Sequence, residues 1–363
     1  MSKIQNSFHG SDLEKVESQF GIKKESLTNF AANVNPLGIS PKLRQSLSDN
    51  INVIESYPDR EYTSLRQSIA DYAKTSLDKI FVGNGSTELI SIIIQIRKPK
   101  KACIIGPTYS EYEREVILGG GRCQYFPLKA SDFFKLNVDD LGHFLSPDFD
   151  LLIICNPNNP TSTAINTSKM RKILDICKEK DILCMIDETY VEFVEDIDEV
   201  SSVALTDYYN NLIVLRGISK FFAAPGLRLG YGICGNKDLI EEINRHKNPW
   251  SINSLAAIAG EIMFSDSQYI DDTRRLIKNE RERIYKTLST SKNLKLFEPT
   301  ANFILVQIQK HGLTSSQVFE QAIKKGFMIR DCSTFPFLDD KFIRFCFMDP
   351  ESNTRLMEFL LNL

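Results

Sequence analysis

The sequence predicts an α/β fold: a large domain on a three-layer, mainly parallel sheet, with a smaller α+β domain beside it. Three observations carry that prediction. Short apolar runs alternate with helix-period segments from about residue 80, the texture changes after about residue 245, and no Gly/Ser/Pro tract separates the parts. The strands expected are KACIIG (101–106), CQYFPL (123–128), DLLIIC (150–155), ILCMID (182–187), NLIVLRG (211–217) and LGYGIC (229–234). Most are apolar without alternation, the pattern of a strand covered on both faces. STELISIIIQI (86–96) and SKMRKILDICKEKD (168–181) lie between them with helical spacing. Beyond residue 245 a helical stretch runs from Ser254 to about Ser289. LKLFEP, NFILVQI, a helix near Ser315–Lys325, FMIRD, FIRFCF and a last helix from Glu351 follow. The expected division is an N-terminal arm at 1–45 packing with the small domain, a large domain at 46–245 and a small domain at 246–363.

The chain has 363 residues, 42% hydrophobic and 25% charged, with a formal net charge of -3. That balance excludes disorder, a low-complexity polymer and a coiled coil. It gives no general attraction to nucleic acid or anionic membranes, so an anionic ligand needs a local basic pocket. The start, MSKIQNSFHGSDLEKVESQ, lacks the apolar core of a signal peptide, and no stretch long enough to cross a bilayer follows. A cytoplasmic location is expected. Eight cysteines without a CxxC pair and four scattered histidines read as buried reduced thiols and no metal site.

Four segments carry chemistry. RGISKFFAAPGLRLGY (216–231) places Lys220 just after an apolar strand, with a Pro-Gly turn and Arg228 eight residues on. CNPNNPTS (155–162) follows another strand, and ILCMIDETY (182–190) ends a third with Asp187, Glu188 and Tyr190. FVGNGSTELI (81–90) passes through Gly83 and Gly85 into a helix starting near Ser86, where backbone N–H groups and the helix dipole make an anion site. Singly, each has an ordinary explanation: a solvated lysine, an Asn-Pro turn, a capping carboxylate, a glycine turn. Together they place polar groups at strand carboxyl ends, where α/β sheets bind ligands.

In the order GNGST, NPNNPT, DETY, SK…GLRLG, these segments resemble the fold-type I pyridoxal-phosphate enzymes of the aspartate aminotransferase superfamily, over nearly the whole chain. The resemblance implies pyridoxal 5'-phosphate as cofactor, held by the large domain. That cofactor needs a Schiff-base lysine, a carboxylate at the pyridine nitrogen, donors to the phenolic oxygen and a phosphate cradle. By resemblance Lys220 is the Schiff-base lysine and proton carrier, and Asp187 the carboxylate that keeps the pyridinium protonated. Asn159 and Tyr190 match the donors to the phenolic oxygen, and Tyr109 the ring that stacks on the cofactor. Gly85, Ser86, Thr87, Ser219 and Arg228 match the phosphate site. Tyr62, in YPDREYTSLR, matches a tyrosine given to the neighbouring subunit's phosphate site, which implies a homodimer with shared active sites. Two positions depart from the pattern. Gly217 stands where relatives often place a Ser or Thr phosphate ligand, and Ser162 stands where NPTG has glycine.

Within the superfamily the chain resembles the threonine-phosphate decarboxylases of cobalamin biosynthesis and, next, the histidinol-phosphate aminotransferases. HGSDLEKVESQFGI (9–22), NFAANVNPLGIS (29–40), NPWSINSLAAIAGE (248–261) and FMIRDCSTFPFLDDKFIRFCF (327–347) carry this likeness. The implied activity is decarboxylation of L-threonine O-3-phosphate, or its serine analogue, to the amino-alcohol phosphate of the cobamide nucleotide-loop linker. Histidinol-phosphate transamination is the alternative, and a non-catalytic binding module that keeps the fold a remote one. Arg330 and Arg344, fourteen positions apart on two small-domain strands, are the expected clamp for phosphate and carboxylate, which Arg binds bidentately. His9 and Asn33 match substrate-contacting positions of the family. Which arginine takes which anion, and threonine against serine, stay open at this point.

Overall fold

The computed structural model describes Phe8, Gly10 and residues 12–363. The apolar runs form strands at Lys101–Gly106, Arg122–Pro127, Leu151–Cys155, Leu183–Asp187, Leu212–Gly217 and Gly230–Cys234, joined by Ile80–Gly83. In space the order is Ile80–Gly83, Gly230–Cys234, Leu212–Gly217, Leu183–Asp187, Leu151–Cys155, Lys101–Gly106 and Arg122–Pro127. Gly230–Cys234 runs antiparallel to both its neighbours, and the other pairs of this sheet are parallel. Alternate residues serve two separate cores: Leu152, Ile154, Cys184, Ile186 and Val214 face one, and Leu151, Ile153, Met185, Ile213 and Leu215 the other. A sheet with apolar packing on both faces makes the three layers, and it explains why these strands read as continuous apolar runs.

The C-terminal part holds an antiparallel sheet in the order Arg330–Asp331, Phe342–Cys346, Phe303–Ile308, Leu294–Leu296. FMIRD splits between two sheets, because Phe327–Met328 pairs in parallel with Thr28–Asn29. That two-residue strand is too short and polar to show a period, yet it ties the N-terminal segment to the C-terminal part. On these ties we propose the division into 46–245 and 246–363, with 1–45 beside the latter. The expected helix from Ser254 to Ser289 is two helices, Ser254–Ser265 and Ser267–Leu288. Asp266 divides them, its carboxylate accepting from Tyr269 N–H as an N-cap.

The carboxyl ends of Leu151–Cys155, Leu183–Asp187 and Leu212–Gly217 open on a cleft that also takes in the start of the helix Gly85–Arg97 and, across from it, the arginines of the small sheet. Among the described residues no helix is long and apolar enough to cross a membrane, and none cluster as metal ligands.

Candidate active site

A cavity of about 520 Å³ is lined by Asn33, Ser86, Thr87, Tyr109, Asn159, Asp187, Tyr190, Ser219, Lys220, Arg228, Arg330 and Arg344, the described candidates apart from Gly85 and Tyr62. A larger one, about 1120 Å³, shares only Cys155 with it and none of those candidates. The chemistry therefore belongs to the smaller cavity.

One end suits a phosphate. The helix Gly85–Arg97 starts there, its first N–H groups free of intrahelical partners and of any side-chain cap from Asn84. Ser86, Thr87, Ser219 and Arg228 line the same end. Gly85 lies beneath rather than beside it, at φ +80°, and a Cβ on it would come within 2.5 Å of an Arg228 guanidinium nitrogen. A side chain there is excluded by both the backbone and the arginine. A Cβ on Gly217 would approach nothing nearer than Ser86 Oγ at 3.7 Å, so crowding does not explain that glycine.

The other end presents Asp187, at the tip of its strand. It accepts from Tyr112 O–H at 2.6 Å, Thr189 N–H at 2.9 Å and the Thr189 hydroxyl at 2.5 Å. Tyr112 was not singled out in the sequence, although GPTYSEY places it three residues after Tyr109. The two rings stand edge to face with centroids 5.6 Å apart.

Between the ends lies Lys220, whose Nζ donates to Ala32 C=O at 2.7 Å. Its surroundings, first by burial and then by the Arg344 charge, pull the ammonium down to about 8. Asn33 Nδ2 donates to Tyr190 Oη at 3.3 Å. The phenol proton of Tyr190 is thus left to donate elsewhere, and burial pushes that hydroxyl up. Asn159 Oδ1 accepts from Arg344, which also donates to Ala31 C=O at 2.6 Å. The Asn159 amide N–H₂ is then turned away from the arginine.

Arg330 and Arg344 sit opposite each other in register on adjacent antiparallel strands. Both are buried. Arg330 donates to Thr334 Oγ1 at 3.2 Å, and burial, then the Arg344 charge, lowers its guanidinium. Arg330 Nη1 and Arg344 Nε are buried without a hydrogen-bond partner among the described residues.

One expectation, for Tyr62, does not fit its surroundings. Tyr62 is buried, its hydroxyl donating to Ile252 C=O at 2.9 Å and accepting from Ile252 N–H at 3.1 Å. A phenol so enclosed is not available to a neighbouring subunit's site. Tyr57, in the same run, is 81% exposed. His9 lies outside the described residues, whereas Gly10 beside it lines the cleft. Ser162 adopts φ +60°, the conformation glycine would favour, and its hydroxyl accepts from Ala301 N–H at 3.0 Å.

A phosphate cradle, a lysine with a lowered ammonium, a carboxylate held by three donors, an aromatic ring and two further donors line one cavity and fit pyridoxal phosphate in kind. The fold and this set of groups define a fold-type I pyridoxal-phosphate enzyme. The chain belongs to the aminotransferase class I and II family, whose model matches residues 25–360. It is 32% identical over 98% of its length to threonine-phosphate decarboxylase of Salmonella typhimurium, covering 96% of that protein. It is 29% identical over 97% of its length to histidinol-phosphate aminotransferase of Methanosphaera stadtmanae, covering 94%. The crystal structure of the histidinol-phosphate aminotransferase from Clostridium acetobutylicum matches 92% of this chain and 98% of its own at TM-score 0.86 and 33% identity.

Proposed function

We propose that this protein decarboxylates O-phospho-L-threonine or O-phospho-L-serine to the amino-alcohol phosphate. The observation that carries this reading is the opposed pair Arg330 and Arg344. Like charges in direct cross-strand register are destabilising, so two buried guanidinium groups there call for anions between or beside them. A phosphoamino acid brings two. Arg344, next to Asn159 and Lys220, suits the carboxylate near the reacting carbon. Arg330, at the outer wall with Thr334, suits the phosphate.

Bound pyridoxal phosphate supplies the sink for the electron pair left when a bond to the amino-bearing carbon breaks. The residues do the rest. Asp187 would hold the ring nitrogen, Asn159 and Tyr190 would donate to the phenolic oxygen, and Tyr109 would cover the ring. The helix start and Arg228 would hold the phosphate. Lys220 would carry the cofactor and then give the substrate carbon the proton that replaces the departing carboxylate. The likeness to the Salmonella decarboxylase over 98% of the chain supports this outcome.

Histidinol-phosphate transamination is the second reading, favoured by the TM-score of 0.86 to the Clostridium enzyme. That substrate carries one anion, its phosphate, although an acidic amino-group acceptor would bring two carboxylates to the same arginines. Supplying each phosphate ester with and without 2-oxoglutarate separates the two. Decarboxylation gives amine phosphate from the phosphoamino acid without any oxo acid. Consumption of histidinol phosphate only with 2-oxoglutarate would favour the aminotransferase.

We also propose a homodimer. Ile51, Ile54, Tyr57 and Trp250 are exposed, and the last two are in ring contact with centroids 4.9 Å apart. Tyr57 takes the place expected of Tyr62 as the tyrosine offered to a second copy. Sedimentation of wild type against Tyr57→Ser tests this, with dimer expected for the first and weakened association for the second.

A further inference from the structure

Thr334, Phe335 and Pro336 line the cleft, and the Arg330 guanidinium lies over the Phe335 ring, 5.4 Å from its centroid. The base of this segment is fixed, since Asp331 Oδ1 accepts from Ser333 N–H at 2.9 Å and from the Ser315 hydroxyl at 2.7 Å. Its far end is pinned by Leu338, which is buried. Phe337 between them does the opposite. It is 53% exposed and sits at φ +66°, a conformation that a bulky residue keeps only where its surroundings hold it.

Phe337 is held by the large sheet. Its ring meets Tyr125, on the edge strand Arg122–Pro127 of the large sheet, edge to face with centroids 5.7 Å apart. They meet over Gly106, where a Cβ would lie 2.7 Å from the Tyr125 ring and 3.4 Å from that of Phe337. Gly106 opens the GPTY loop that carries Tyr109 into the site. A strained, half-exposed ring thus connects the segment that carries Thr334 and Phe335 to the edge of the large sheet, beside the loop that leads to Tyr109.

We propose that Phe337 is a latch: resting on Tyr125 above Gly106, it holds the Thr334–Phe335 wall and Arg330 closed over the substrate's anionic group. This rests on the reading of Arg330 as the phosphate anchor. Phe337 is outside the cavity lining, so it is a positioning residue that sets substrate affinity and leaves bond breaking alone.

The test uses the holoenzyme, with its phosphate-ester substrate and with inorganic phosphate as competing inhibitor. Phe337→Ala should raise KM and the phosphate inhibition constant roughly three- to tenfold, the range of one aromatic pair, with kcat near wild type. Phe337→Tyr should restore both. Tyr125→Ala should reproduce the loss, and the double variant should be no worse than either single one. Unchanged constants, strictly additive losses, or a fall in kcat in place of a rise in KM would each overturn the latch. If histidinol phosphate is the ester turned over, the decarboxylase reading fails while the same ratios still score the latch. A wild type indifferent to every phosphate-bearing ligand overturns both.

Discussion

Arg330 and Arg344 share one register position on adjacent strands of the small antiparallel sheet, close enough that the Arg344 charge lowers the Arg330 guanidinium. Without a ligand that arrangement costs stability. Arg330→Gln should therefore raise the Tm of the substrate-free protein. It should also raise KM for a phosphoamino acid about ten- to a hundredfold, the range for losing a charge-assisted hydrogen bond. Inorganic phosphate should raise the Tm of wild type more than that of the variant, since it binds the folded state of one better than the other. Calorimetric scans with and without phosphate check both parts, and a variant that melts lower and binds equally well would contradict them.

The Lys220 ammonium, pulled down to about 8 by burial and the Arg344 charge, fixes a pH dependence. Only the neutral amine can bond to the cofactor. Attachment of added cofactor to the apoenzyme, followed by absorbance, should quicken with pH and level off near pH 8, where an ordinary lysine would keep rising toward 10.5. Removing the positive charge in Arg344→Gln should move the plateau upward. A plateau unmoved by that change would show that Arg344 does not act on Lys220.

Ser162 joins the two parts of the molecule at an unfavourable backbone angle. Its φ is +60°, its carbonyl accepts from Thr300 N–H at 2.9 Å, and its hydroxyl accepts from Ala301 N–H. Ser162→Ala keeps the strain and orphans a buried N–H, so it should cost about 1–3 kcal/mol. Ser162→Gly relieves the strain while losing the same bond, so it should be milder. Equal Tm losses for the two would deny the backbone its part.

Beneath the site, the Arg216–Glu188 ion pair is fully buried at 2.8 Å, with Glu192 Oε1 4.0 Å from Arg216. Burial pushes the Glu192 carboxyl up from 4.5 to about 7, and Arg216 only partly offsets it. Between those values the folded protein holds a proton that the unfolded chain releases, so this group's contribution is present at low pH and lost as pH rises through 7. Glu192→Gln keeps the shape without the ionisation. Its Tm relative to wild type should be higher at pH 8 than at pH 5, and a difference independent of pH would contradict the assignment.

The central strands were legible because both faces of the large sheet are covered there, which turns them into unbroken apolar runs; the edge strand Arg122–Pro127 is half-exposed and is not one. Lys220, Asp187 and Arg228 were legible because their motifs fall in a fixed order at strand ends. What escaped depends on packing between distant segments. Tyr112 meets Asp187 seventy-five positions away. Tyr62 is enclosed by Ile252, 190 residues on. The two arginines were visible fourteen positions apart, but their shared register exists only once Phe342–Cys346 pairs with Arg330–Asp331. The break at Asp266 was missed because helical periodicity continues on both sides of a capping carboxylate.

Release of the carboxyl carbon tests the central claim most directly. O-phospho-L-threonine labelled at that carbon is given to the holoenzyme with no oxo acid present. The proposed function predicts labelled CO₂ in step with an equal amount of aminopropanol phosphate, abolished in Lys220→Ala. Label retained in the amino acid or in an oxo acid, with histidinol phosphate consumed only when 2-oxoglutarate is added, would contradict it.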